Sequence, residues 1–139
     1  MIVRTRDVTP VLSAIEQYAE NIVGLDPEQW LNDENNVALT DEDGNVSMFE
    51  RNEPGVVTGH YFFFCRGRAA IKLSHEMLRE IFTGPYDVEV IRGLTPIDHK
   101  GALWMSRHVG FKEYGTIPTE VGPCALFILT KNEYLKESG

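Results

Sequence analysis

Long apolar runs, a secretion signal and a framework of cysteines are all missing from this chain of 139 residues. The longest apolar run is far shorter than the roughly 18 residues that cross a bilayer, which argues against a transmembrane helix and a membrane partner. The opening residues, MIVRTRDV, contain no apolar signal core, so we expect a cytoplasmic location. A chain of this length buries enough surface to fold as a single domain, residues 1–139, without a metal or a disulfide.

Cysteine is scarce, and its two occurrences form no recognisable site. Cys65 and Cys124 lie in apolar, strand-like segments, which predicts buried free thiols. No cysteine or histidine pair has the spacing of metal ligands, so we expect no metal. The G-x-S-x-G turn of the α/β-hydrolases is also missing, which excludes that form of serine catalysis.

Basic residues are scarce in the first part of the chain. Residues 1–55 contain three basic and twelve acidic side chains, whereas residues 56–139 contain ten and nine, and the net charge is −8. Because nucleic-acid affinity depends on basic side chains that neutralise phosphates, this composition excludes a nucleic-acid partner. The acidic part either serves solubility or favours a basic partner or an amine substrate.

Hydrophobic periodicity and turn residues predict a mixed α/β domain with the order β1-α1-α2-β2-β3-β4-α3-β5-α4-β6-β7. A strand over residues 1–8 is followed by a helix that starts at Thr9-Pro10 and ends at Gly24. Asp43-Gly44 predicts a tight hairpin. The later strands are predicted over residues 56–65, 88–91, 111–117 and 124–130, with helices over residues 67–84 and 98–110 between them.

Two segments of this pattern have further features in common with one family. The segment Phe64-Cys65-Arg66-Gly67-Arg68-Ala69, between a strand and a helix, is similar to the pyrophosphate loop Q/R-x-x-G-x-G/A. The segment from His99 to Phe111 is similar to N-x-x-A-x-x-L-Y-x-x-x-G-F. With the element order, they make essentially the whole chain resemble the GNAT acyl-CoA N-acyltransferase superfamily. The resemblance implies a central, twisted mixed sheet splayed between β4 and β5, with acetyl-CoA or coenzyme A as the ligand.

The loop is a plausible anion site on physical grounds as well. A strand that leads into a helix leaves backbone N–H groups unpaired at the positive end of the helix dipole. Gly67 allows a phosphate to approach the backbone, and Arg66 and Arg68 add fork-shaped donors; alternatively, these arginines are solvated or paired with acids. The resemblance implies a coenzyme A site formed by the loop and the start of the next helix, that is, by Phe64, Cys65, Arg66, Gly67, Arg68, Ala69 and Ala70. It also implies that His99 lies near the pantetheine arm, where the family often has an asparagine.

The catalytic positions depart from the family pattern. Phe64 replaces the first Gln or Arg of the loop, and at the end of an apolar strand we expect it to be part of the core. Ser106 stands where the family commonly has a tyrosine that protonates the departing thiolate, a task that Tyr114 or an ordered water could take over. His60, with an ordinary pKa near 6.5, is a candidate general base, and Glu50 is the alternative. A structural role for His60 is the competing interpretation.

Two hypotheses of function follow. The first is a catalytically degenerate GNAT-like phage protein that acts in virion or head assembly or binds a protein partner or further copies of itself, in the host cytoplasm or the virion. The departures at Phe64 and Ser106 favour this interpretation. The alternative is an active acetyl-CoA-dependent N-acetyltransferase for a small amine or a lysine-containing protein. In that case the amine would enter from the side of the first two helices, which carry Glu16, Glu20, Asp26, Glu28, Asp33 and Glu34.

Overall fold

A computed structural model describes residues 1–16 and 26–138, with side chains described up to residue 136. The described residues form one seven-stranded sheet and five helices. The elements, in chain order, are β1 Val3–Thr5, α1 Val8–Glu16, α2 Pro27–Asn32, β2 Val37–Thr40, β3 Val46–Glu53, β4 Val56–Phe62, α3 Gly67–Thr83, β5 Val90–Pro96, α4 Lys100–Val109, β6 Lys112–Thr119, β7 Gly122–Thr130 and α5 Lys131–Ser138. The helix end predicted at Gly24 lies outside the described residues.

The strands are arranged in the order β1-β2-β3-β4-β5-β7-β6. Neighbouring strands are antiparallel except β4 and β5, which are parallel and are connected through α3. The predicted mixed α+β architecture and its element order are therefore confirmed, with α5 as an addition at the end.

Side chains alternate between the two faces along each strand, and both faces of the sheet have apolar side chains. Helices therefore cover both faces. On one face, Val57 and Ile91 of the sheet pack with α3, α4 and α5 in the larger core. On the opposite face, Met48 and Phe62 pack with α1 and α2 in a second core. We call these the α3 face and the α1 face.

Several element ends differ from the sequence-based prediction. Helix α1 begins at Val8, two residues before the predicted first residue Pro10, because the Asp7 carboxylate accepts the backbone N–H of Thr9 and so caps the helix in place of Thr9. Strand β5 begins at Val90 and continues to Pro96, since it pairs with β7 along that whole length. Long-range pairing of this kind leaves no local mark in the sequence.

Helix α5 was not predicted, although its start has a sequence signature. The Thr130 hydroxyl accepts the backbone N–H of Glu133, and the Glu133 carboxylate accepts the backbone N–H of Thr130. This reciprocal pair is a capping box, readable as T-x-x-E. Lys112 of β6 pairs with the same carboxylate, and the ring of Tyr134 packs 5.3 Å from that of Phe82.

The predictions for Phe64 and Cys65 were wrong with respect to burial. Phe64 is 49% exposed and Cys65 is half-buried, whereas Cys124 is buried as expected. Strand β4 ends at Phe62, and Phe63 rather than Phe64 turns into the core. The chain beyond is held by Asn45, whose side-chain oxygen accepts the backbone N–H of Phe64 at 2.6 Å.

Asn45→Ala should therefore destabilise the protein. Asn45 is buried and also donates to the Asp41 carboxylate, so its loss leaves the Phe64 N–H without its acceptor. We expect a loss of about 1–3 kcal/mol in the free energy of unfolding, measured by urea denaturation. Asn35→Ala, at an exposed position, is the matched control and should change stability by less than about 0.5 kcal/mol. Equal stabilities of the two variants would contradict this role.

Candidate functional site

A cleft opens where β4 and β5 part. The two strands pair only from Val56 with Val90 to Thr58 with Arg92. Beyond this point β4 stays paired with β3 up to Phe62, and β5 stays paired with β7 up to Pro96. The sheet therefore diverges between residues 59–62 and 93–96. In the described part of the chain, the β4 backbone of residues 59–61 has no β-ladder partner on the side that faces β5, so polar groups on that side are available to a ligand.

Glycines line the closed end of this cleft on the α3 face. Gly59 and Gly93 each follow, by two residues, the paired and buried Val57 and Ile91, so all four positions point to the same face. A Cβ built on Gly93 would meet nothing within 4 Å among the described residues. We call this closed end, between the Thr58–Arg92 pair and the two glycines, the apex of the cleft.

Helix α3 begins at the open end of the cleft. Gly67 has φ +62°, and the first turn of the helix contains no acidic residue. Residues 66–69 are exposed, and the capping residue makes no side-chain cap to the helix N–H groups. Unpaired N–H donors at the positive end of a 17-residue helix form an anion site. The structure thus brings the predicted loop to the mouth of the cleft.

The two arginines of the loop have different surroundings. The Arg66 guanidinium donates to the carbonyl oxygens of Phe63, at 2.7 Å, and Cys65, at 3.0 Å, so it braces the turn after β4. The Arg68 side chain is exposed and makes no salt bridge to the described residues. As far as the described residues show, Arg68 is therefore the arginine of the loop that can meet an anion.

Acidic side chains of the β2–β3 turn lie close to the loop. Burial raises the pKa of the Cys65 thiol, and the charges of Asp41 and Asp43 raise it further, while Arg66 opposes them. The thiol therefore stays protonated and is a poor nucleophile. The Asp41 carboxylate accepts the backbone N–H groups of Asp43 and Asn45, so it holds the turn rather than a ligand.

His60 lies on β4 beside the cleft and points to the α1 face, because its register partner Met48 packs in the core on that face. Its side chain is partly open to solvent, and neighbouring parts of the protein surround the rest of it. Desolvation by the surrounding protein lowers the pKa of His60 below 6.5, and the charge of Glu50, on the same face, partly offsets this. The imidazole is therefore neutral near pH 7 and able to accept a proton.

Helix α4 covers the α3 face beside the cleft. The His99 Nδ1 accepts the backbone N–H of Ala102 and caps the helix, so the neutral ring has its proton on the exposed Nε2. Ser106 is half-buried on the same helix. Leu103 packs on Phe127 of β7, which fixes the helix over the sheet.

Tyr114 lies apart from the residues around the cleft. It is 59% exposed in strand β6, at the irregularity between Glu113 and Thr116. Strand β7 separates β6 from β5 in the sheet, which places the backbone of Tyr114 about two strand spacings, roughly 10 Å, from β5.

The acidic residues of the first two helices are only partly available to a substrate. Asp26 accepts the N–H groups of Glu28 and Gln29 as the cap of α2, and Asp33 accepts that of Asn35. Glu20 lies outside the described residues. Within residues 1–16 and 26–138, no group of three or more His, Cys, Asp or Glu side chains could hold a metal ion. None of the described helices is long and apolar enough to cross a membrane.

Sequence reasoning did not identify Tyr61 as a buried polar group of β4. Its ring packs edge-on against Phe49 and Phe63, at 5.9 and 6.0 Å between ring centres. Its hydroxyl oxygen is buried and has no hydrogen-bond partner among the described residues. In the sequence Tyr61 is one of five consecutive apolar residues, 61–65, so only the fold distinguishes it.

Comparison with known proteins agrees with this geometry. No protein-family model and no curated protein sequence matches the chain. A variant of spermidine N-acetyltransferase SpeG from Vibrio cholerae has a TM-score of 0.79 at 12% identity, with 100% of this chain and 99% of that chain covered. Aminoglycoside acetyltransferase AAC(6')-Ib in complex with coenzyme A has a TM-score of 0.72 at 14% identity. The complex of the same enzyme with coenzyme A and kanamycin has a TM-score of 0.73 at 15% identity. Both comparisons cover 100% of this chain and 99% of the matched chain.

The chain therefore has the fold of the GNAT acetyltransferases over its whole length. Neither the structure nor the comparisons support a phage origin or a role in the virion.

Gly67→Ala should reveal the backbone requirement of the loop. A Cβ at Gly67 meets nothing within 4 Å among the described residues, so the cost comes only from φ +62° and amounts to about 1 kcal/mol of unfolding free energy. Gly101→Ala is the matched control, since its Cβ also meets open space and its φ is not positive, and helix α4 should gain about 0.5 kcal/mol. Urea denaturation of both variants measures the difference, and a Gly67→Ala protein as stable as the parent would refute the strained conformation.

Proposed function

We propose that this protein is an acyl-CoA-dependent N-acetyltransferase that acts on a small amine. The parting of β4 and β5 toward an anion-binding helix start carries this proposal. A long, thin ligand with a phosphate-bearing end fits a cleft of this kind, with the phosphates at the mouth and the other end at the apex. The fold shared with acetyltransferases supports the same ligand.

The residues around the cleft suit coenzyme A chemically. The N–H groups of residues 67–70 and the Arg68 guanidinium would hold the pyrophosphate. On the side that faces β5, the β4 backbone of residues 59–61, which has no β-ladder partner there among the described residues, would bind the amides of the pantetheine arm as a neighbouring strand does. The Nε2–H of His99 is a further donor. Bound acetyl-CoA supplies an acyl group activated as a thioester.

His60 would act as the general base. An amine attacks a thioester only after losing a proton, and a neutral imidazole beside the cleft can accept it. Holding the amine against the thioester then supplies much of the rate. Because His60 points to the α1 face, the amine would approach from that side of the sheet.

The acceptor would be a multiply charged amine. The matched structures include a spermidine N-acetyltransferase and an aminoglycoside acetyltransferase in complex with kanamycin, and both spermidine and kanamycin are small polycations. In this chain, residues 1–55 contain β1 to β3 and the helices α1 and α2. They have twelve acidic and three basic side chains, so this part of the domain attracts cations.

The function is tested first by coenzyme A binding, measured by calorimetry. We expect Arg68→Ala to raise the Kd about tenfold, because a charge-assisted hydrogen bond contributes about 1.4 kcal/mol. Arg79→Ala removes the same charge from the other end of α3 and should leave the Kd unchanged. Acetyl transfer from acetyl-CoA to spermidine and kanamycin is then followed by release of free thiol.

Two outcomes of the binding experiment would contradict the proposal, one for the loop and one for the function as a whole. Equal affinities of the Arg68→Ala and Arg79→Ala proteins would contradict the loop assignment. A parent protein that does not bind coenzyme A would refute the proposed function.

The pH dependence tests His60 as the base. Protonation of His60 removes the base, so kcat/KM should fall as the pH drops through a pKa below 6.5. The Glu50 charge raises that pKa, so Glu50→Gln should lower it further and move the acidic limb to lower pH. His60→Gln should reduce kcat by about 10²–10⁴-fold.

Glu53→Gln is the control, because it removes an equal charge at the end of the same strand. Its acidic limb should stay closer to that of the parent than the limb of Glu50→Gln does. A His60→Gln enzyme with parental kcat would assign His60 a structural role.

A further inference from the structure

Phe64 is an exposed aromatic residue in the loop between β4 and the start of α3. It is 49% exposed, whereas Phe62 and Phe63, immediately before it, are buried. A single exposed apolar residue is ordinary on a protein surface, but this one stands three residues before Gly67. Three residues span at most about 11 Å, so Phe64 lies close to any phosphate that the helix start binds.

The turn between β2 and β3 holds Phe64 in place. The side-chain oxygen of Asn45 accepts the backbone N–H of Phe64 at 2.6 Å. The ring lies against the turn at Gly44, where an added Cβ would be 3.8 Å from the Phe64 Cε2. The turn therefore supports one part of the ring while much of the residue stays accessible. A ring that is held in this way loses little conformational entropy when a ligand stacks on it.

Phe64 lies on the side of the loop that the rest of the ligand leaves free. Strand β4 pairs with β3 on one side and parts from β5 on the other. In the proposed function, the pantetheine arm occupies the β5 side and the pyrophosphate occupies the start of α3. Gly44 belongs to the turn that leads into β3, so the Phe64 ring offers a flat apolar surface toward the β3 side. The nucleotide end of the ligand is the part that remains to be bound there.

The charges around Phe64 favour a neutral ring over a further phosphate. Burial raises the pKa of the neighbouring Cys65 thiol, and the carboxylates of Asp41 and Asp43 in the same turn raise it further, so these charges lie close to the loop. Negative charges repel a phosphate, but they do not repel a purine, which is neutral near pH 7. Among the parts of coenzyme A, the adenine is the one that is flat and uncharged.

We propose that Phe64 is the stacking surface for the adenine ring of coenzyme A and makes this protein selective for acyl donors that contain a nucleotide. The inference rests on the proposed function and extends it to the far end of the donor. A base that stacks on an aromatic side chain gains affinity without needing hydrogen bonds to its edges. A donor that ends at the phosphopantetheine, such as an acylated carrier protein, has no adenine and gains nothing from Phe64.

Trp104 on α4 is the alternative stacking surface. It is 41% exposed, and its ring lies 4.2 Å from that of His108 between ring centres, so the imidazole already covers part of it. Leu103 and Val109 are the buried residues of this helix, which places Trp104 on its outer side. Trp104 therefore serves as the matched control for an exposed aromatic ring outside the loop.

The test measures the binding of three ligands to Phe64→Ala by calorimetry: coenzyme A, dephospho-coenzyme A and 4′-phosphopantetheine. The Kd values of the first two should rise about tenfold, because both lose the stacking of one base. The Kd of 4′-phosphopantetheine, which has no adenine, should stay within about twofold of the parental value. Trp104→Ala should leave all three Kd values within about twofold. Because both residues are exposed, both variants should melt within about 2 °C of the parent.

A second readout detects the stacking itself. Phe64→Trp keeps a flat ring at the same position, so its Kd for coenzyme A should stay within about twofold of the parental value. An adenine that stacks on an indole quenches its fluorescence. Coenzyme A and dephospho-coenzyme A should therefore quench the added emission of Phe64→Trp, whereas 4′-phosphopantetheine should not. The parent, which contains Trp30 and Trp104, supplies the background signal.

Four results would contradict the role of Phe64. A parental Kd for coenzyme A in Phe64→Ala, or an equal loss for all three ligands, would overturn the adenine assignment and leave the proposed function intact. A tenfold loss in Trp104→Ala alone would move the adenine to α4. If Phe64→Ala lowers the melting temperature, the fluorescence of Phe64→Trp decides, and emission that coenzyme A does not quench would overturn the assignment. A parent that binds no coenzyme A would overturn both proposals.

Discussion

The parting of β4 from β5 is the constraint on which the site depends. Each strand is held by an antiparallel neighbour on its outer side, β3 for one and β7 for the other, so both stay extended after their mutual pairing ends at Thr58 and Arg92. The gap exposes backbone polar groups that an ordinary sheet would satisfy internally. The parallel connection through α3 then places a helix start at the open end, so the backbone itself builds the cleft and sets the N–H groups of a helix start at its mouth.

The alternation of side chains along β4 places neighbouring residues on the two faces of the sheet. His60 faces α1 and α2, in the half of the sequence that is rich in acids, whereas Tyr61 faces α3 and α4. A strand turns successive side chains by about half a turn, so two adjacent residues face opposite sides of the sheet.

Two features around this cleft lower the stability of the folded protein. Gly67 adopts a conformation that favours glycine, and the Tyr61 hydroxyl is buried without a partner among the described residues. Both features cost folding free energy, which the two cores on either face of the sheet offset. Arg66, in contrast, braces the turn, whereas Arg68 makes no salt bridge within residues 1–16 and 26–138.

Local signals in the sequence determined the element types, their order and the loop at Gly67, since periodicity, turn residues and capping act over a few residues. The capping box at Thr130 was also readable, although it was overlooked. Only the tertiary structure decided where β5 ends, that Phe63 and not Phe64 is buried, and which of the two arginines is free. It also placed the Phe64 ring against Gly44 of the β2–β3 turn. These features depend on the register between strands that are distant in sequence, and that register is chosen by the packing of the whole sheet.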